Sequence, residues 1–120
     1  MATVNGVVGT QTISSKSVID GRHPAVVRLM EFSADNGTIP AGEIIALNSE
    51  GTAQSYNPAG ASPLNIPVGV CTEDIDTSKD TAGNVMVHGT VLAASLLVMG
   101  SEASASARAA LEADTSIWIF

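Results

Sequence analysis

Covalent catalysis needs a Ser, Cys or Thr side chain next to a base that can take its proton. The imidazoles available are His23 and His88, the one thiol is Cys71, and no G-x-S-x-G elbow occurs. Cys71 follows Val70 in an apolar stretch, which reads as a buried, inert thiol rather than a nucleophile. A lone cysteine excludes an internal disulfide and a cysteine-based zinc site. The two histidines have no third ligand at metal-binding spacing. Carboxylates cluster in Glu73-Asp74-Ile75-Asp76, but neighbours on a strand point to opposite faces, so Glu73 and Asp74 do not converge. An acidic edge that discourages sheet-to-sheet pairing is the reading this run supports. The glycines match neither G-x-G-x-x-G nor a P-loop and are spaced as turns and bulges. Asn36-Gly37-Thr38 matches a glycosylation sequon, and without a secretory signal it reads as a turn. These residues predict no enzyme, no cofactor and no metal.

The elements that carry these residues are small. The chain has 120 residues, 45% hydrophobic and 14% charged, which is one folded domain. Aromatics are 3%, namely Phe32, Tyr56, Trp118 and Phe120, too few for a base-stacking surface. Net charge is −7, the wrong sign for a nucleic-acid binder. Residues 1–30 set Lys16, Arg22 and Arg28 against Asp20, whereas residues 31–120 set Lys79 and Arg108 against eleven carboxylates. A slightly basic head is thus joined to an acidic body. The N-terminal MATVNGVVGTQTISS has no charged region followed by a long apolar run, so no signal peptide is expected. The longest apolar stretch, Val91 to Met99, is too short to cross a membrane.

Residues 1–24 are rich in Thr, Ser, Gly and Val, with Val4, Val8 and Ile13 as scattered apolar anchors. They read as an extended arm without a core of its own, closed by His23-Pro24. Residues 25–120 read as a β-rich domain. Strands are predicted over 25–33, 43–48, 53–57, 66–75 and 84–99, with turns at Asn36-Gly37, Pro40-Ala41-Gly42 and Ser49–Thr52. Gly69 is expected at a bulge or a close backbone approach. In 84–99, Val85 and Val87 alternate with Met86 and His88 until Gly89 interrupts. A helix is predicted over 101–114 from the spacing of Ala103, Ala107, Ala110 and Leu111, with Ser101 as N-cap and Glu102 in the first turn. TSIWIF (115–120) closes the chain as a strand. The expected class is mainly β with one short C-terminal helix.

The succession of elements resembles a known family. GTIPAGEIIAL (37–47) is a turn and strand, and NSEGTAQSY (48–56) is a glycine turn with a short strand ending in Tyr. A Pro-rich loop, PVGVCTEDID (67–76), VMVHGTV (85–91) and ARAALEADTSIWIF (107–120) follow. Over roughly residues 33–120 this order is similar to the head decoration, or capsid cement, proteins of tailed bacteriophages of the lambda-like type. The resemblance implies a small β-clip-like or β-tulip-like body with an extended N-terminal arm. It implies a homotrimer on the outer surface of the virion capsid, made in the host cytoplasm, whose partner is the major capsid protein. The shell would be stabilised against internal DNA pressure, with no nucleic acid, membrane or catalysis involved. It further implies that Thr3, Val4, Val7, Val8, Thr10, Ile13, Lys16 and Arg22 of the arm bind the capsid. Ile117, Trp118, Ile119 and Phe120 would lie at the trimer contacts. An arm rich in Thr, Val and Ile suits strand addition, and three weak contacts gain by avidity. The rival readings are a phage tail or baseplate subunit and a small β-clip domain that binds a ligand through Tyr56 and Trp118.

Overall fold

The computed structural model describes residues 19–20 and 24–120. The element order is β1 (Ile19–Asp20), β2 (Val26–Glu31), β3 (Thr38–Ile39), β4 (Ile44–Leu47), β5 (Ala53–Ser55), β6 (Pro67–Cys71), β7 (Ile75–Asp76) and β8 (Ala82–Val91). A single 3₁₀ turn (Ala93–Ser95) leads into β9 (Leu97–Val98) and β10 (Ser101–Glu102), and α1 (Ala105–Asp114) and β11 (Ser116–Ile119) follow. The protein is mainly β with one short helix near its C-terminal end, as the sequence predicts.

β8 organises the main sheet. Along one edge it pairs antiparallel with β1 and β2, as Ile19 opposite Val91 and Val26 opposite His88 show. Along the other edge it pairs antiparallel with β6 at Val70–Met86 and parallel with β11, Ser116 opposite His88. β6 continues to β4 and then β5, so β5 closes the far side. β3 with β7 and β9 with β10 form two small separate ladders.

Both faces of the sheet centre are buried, which explains why β4 and the Val85–Val87 part of β8 are apolar at successive positions. One face carries Ile44, Ala46, Val70 and Met86 against Leu96, Ala107, Leu111 and Ile117. The opposite face carries Ile45, Cys71 and Val85 against Phe32, Ile39 and Ile75. Gly69 lies where β6 crosses closest to β8: a Cβ there would stand 2.6 Å from the main-chain oxygen of Met86 and 2.6 Å from Val85 Cγ1. The ladder also shifts register beside it, between Ile45 and Ala46. The expected close approach is therefore present.

The helix starts later than its sequence pattern suggests. Ser101 and Glu102 pair with Val98 and Leu97 instead of opening the helix. Between them Met99 and Gly100 both have positive φ, 51° and 84°, as a two-residue hairpin turn of matching twist requires. Ser104 is the N-cap, and its hydroxyl accepts from the Ala107 N–H at 3.2 Å. At the other end Thr115 Oγ1 donates to the Leu111 carbonyl at 2.6 Å, and the chain turns at once into β11. The run over 84–99 also divides, because β8 ends at Val91 and the 3₁₀ turn intervenes.

Candidate functional site

The arm residues Thr3, Val4, Val7, Val8, Thr10, Ile13, Lys16 and Arg22 lie outside the described residues. What is described of that stretch joins the sheet: Ile19–Asp20 forms β1 on the edge of β8. The edge continues as β2, whose residues are largely exposed on both faces. Leu29 is 72% exposed, and Val26 and Val27 are also open. No ladder partner covers the outer side of β2 among the described residues.

On the opposite edge, β11 divides its side chains between the two faces. Ile117 is buried in the helix-side core, while Trp118 and Phe120 face outward at 45% and 56% exposure. Trp118 meets His88 edge-on, with ring centroids 5.5 Å apart and planes at 89°. A bulge produces that contact. Val26 pairs with His88 but Val27 pairs with Met86, so Val87 and His88 together oppose a single step of β2. The alternation expected through Val85, Met86, Val87 and His88 thus breaks at the bulge rather than at Gly89. Val26, half-buried His88 and Trp118 then form a row across β2, β8 and β11, open at its two ends. This row was the least visible feature in the sequence, because it depends on a register shift that leaves no mark in residue type.

The residues that could do chemistry are engaged otherwise. Cys71 is fully buried, and its Sγ donates to the Glu73 carbonyl at 2.8 Å. Burial pushes the thiol up to about 11, so it stays protonated and unreactive near neutral pH. Glu73 Oε2 accepts from the Asn84 N–H at 3.2 Å, and Asp74 Oδ1 accepts from the Ala41 N–H at 2.8 Å. The two carboxylates hold different main-chain segments and do not converge. The Ser78 hydroxyl and then the Ser78 N–H hold Asp76 below the usual carboxylate range. Glu43, which the sequence reading passed over, is the buried carboxylate: it is 2% exposed, accepts from the Ser55 hydroxyl, and accepts from the Gly100 N–H at 2.7 Å. It ties β4 to β5 and to the β9–β10 turn. Among the described residues no three His, Cys, Asp or Glu side chains group as a metal site.

An open cleft of about 340 Å³ lies between α1 and the end of β11, lined by Ala105, Arg108, Ala109, Glu112, Ile119 and Phe120. Its charged groups are tied to main chain: Arg108 donates to the Ala103 carbonyl at 2.8 Å, and Glu112 accepts from the Ile119 N–H at 2.9 Å. Tyr56, which a ligand site would need on the surface, is 3% exposed and packs in the core. No helix among the described residues is long and apolar enough to cross a membrane. The chain matches no protein-family model, and no curated protein matches it as a relative.

Proposed function

We propose that this protein is a structural component of a virion, binding the outside of the expanded head of a tailed phage as a homotrimer and stabilising the shell. Its partners on this reading are the major capsid protein and its own copies, and the role involves no catalysis. The observation that carries the reading is the pair of exposed apolar surfaces, Val26, Val27 and Leu29 on β2 and Trp118 and Phe120 at the end of β11. Apolar surface gathered on an otherwise acidic body is what a protein–protein contact requires.

The experiment is co-sedimentation with heads purified from the phage that encodes the chain. The protein should pellet with expanded heads, saturate at a multiple of three copies per bound position, and not pellet with unexpanded proheads. Failure to bind heads of either kind overturns the proposal. Light scattering of the free protein reports separately whether the trimer forms before binding.

A further inference from the structure

The Asn36-Gly37 turn has a chemical property that the proposed role does not use. Asn36 and Gly37 are exposed, Gly37 has φ +71°, and the space where its Cβ would be is empty. No hydrogen bond engages the Gly37 N–H among the described residues. A main-chain N–H with no bulk on its own residue is the nucleophile that attacks a preceding asparagine side chain, and asparagine is among the thermolabile residues for this reason.

Thr77 restrains the same turn. Its side chain is 3% exposed, and it reaches the turn from β7's end. The Asn36 N–H donates to Thr77 Oγ1 at 2.7 Å, and Thr77 Oγ1 donates to the Gly37 carbonyl at 2.7 Å. The Thr77 N–H donates to the same carbonyl at 3.1 Å, and the Asp35 N–H donates to the Thr77 carbonyl at 3.3 Å. One buried residue therefore grips the main chain on both sides of the Asn36–Gly37 peptide. Asn36 ψ lies between those grips and must turn to bring the Gly37 nitrogen onto Asn36 Cγ, and so must the Asn36 side chain, whose Nδ2 donates to the Ser33 carbonyl at 3.3 Å.

We propose that Asn36 is a self-modification site and that the Thr77 clamp sets its rate. The Gly37 amide nitrogen loses its proton and bonds to Asn36 Cγ. The Cγ–Nδ2 bond breaks, and the side-chain nitrogen leaves as ammonia. Water then opens the cyclic imide. Addition at Cγ gives aspartate, and addition at the main-chain carbonyl gives an isoaspartyl linkage that runs through the side chain. Water enters and ammonia leaves, with no change of oxidation state. Either product adds a negative charge beside Asp35, and the isoaspartyl product lengthens the main chain just ahead of β3. The clamp then no longer fits, so conversion loosens the β3–β7 ladder in one direction only.

The test follows conversion by peptide mass and by enzymatic isoaspartate methylation during incubation at mildly alkaline pH. The urea-unfolded wild type should convert fastest and the folded wild type much more slowly. Thr77→Val, folded by circular dichroism, should convert roughly thirtyfold faster than wild type, the factor that the two lost Oγ1 hydrogen bonds together represent. Thr77→Ser keeps the hydroxyl and should stay slow. Equal rates for folded and unfolded wild type overturn the proposal whether or not Thr77→Val folds. So does a folded Thr77→Val protein that converts no faster than Thr77→Ser.

Discussion

Cys71 in β6 and Glu43 just ahead of β4 are both buried. The thiol is neutral, and burial favours it that way. Its folded-state pKa of about 11 lies above the unfolded value of 9.0. The stabilisation is therefore whole below pH 9 and is lost as the pH rises through 11. The loss should approach about 3 kcal/mol above the folded-state value, since the shift is two units and one pKa unit is worth roughly 1.4 kcal/mol. Urea denaturation of wild type and Cys71→Ala at pH 8 and pH 11 checks it, the variant losing less stability across that interval. A thiol reagent should find Cys71 only after unfolding. Glu43 is held instead by two donors, the Ser55 hydroxyl and the Gly100 N–H. Glu43→Ala removes both hydrogen bonds and leaves the half-buried Ser55 hydroxyl without its acceptor, and should cost about 2–3 kcal/mol. Urea midpoints at neutral pH measure that cost.

Where strands and the helix begin and end depends on contacts that sequence patterns carry unequally. The runs around Ile44, Val70, Met86 and Ile117 announced strands, because they are apolar and β-branched. The alanine spacing announced α1, because Ala107 and Leu111 do face the core. The β9–β10 hairpin gave no signal, since its turn is Met99-Gly100 rather than Asn-Gly or Asp-Gly. β3 and β7 are two residues each, too short for a period to show. Of the outward surface, Trp118 and Phe120 were legible as aromatics on a terminal strand. The exposure of β2 was not, because Val26, Val27 and Leu29 are residue types that ordinarily fill a core. Two substitutions test the element boundaries. Ser104→Ala should cost about 1 kcal/mol if Ser104 caps α1, and Ser101→Ala should cost much less. Gly69→Ala drives a Cβ into the Met86 main chain and should lower the melting temperature more than either.

For the whole molecule, the asymmetry of charge bears on how it meets a partner. Lys16, Arg22 and Arg28 lie toward the N-terminal end, and eleven of the twelve carboxylates come after residue 30. On the proposed reading, replacing these three cations with Gln should slow binding to expanded heads and flatten its salt dependence, because steering acts over a Debye length of roughly 8–10 Å. Dissociation should change little. Binding kinetics at low and physiological ionic strength distinguish the two rates. Leu29→Lys places a charge on the exposed side of β2 and should change stability by no more than about 0.5 kcal/mol, as for other surface changes. The same variant should weaken head binding.

The position of β8 also governs how the chain acquires its shape. Its partners come from both ends of the sequence, β1 at Ile19–Asp20 and β11 at Ser116–Ile119, so Ile19 and Ile117 meet the same strand from opposite sides. Few of these pairings are local, and sheets of this kind fold in milliseconds to seconds rather than microseconds. Until both flanks arrive, the Val85–Val91 segment presents two bare edges along an apolar strand, the kind of intermediate that aggregates. Yield of native protein during synthesis should therefore respond to temperature and concentration more steeply than the stability of the finished fold does.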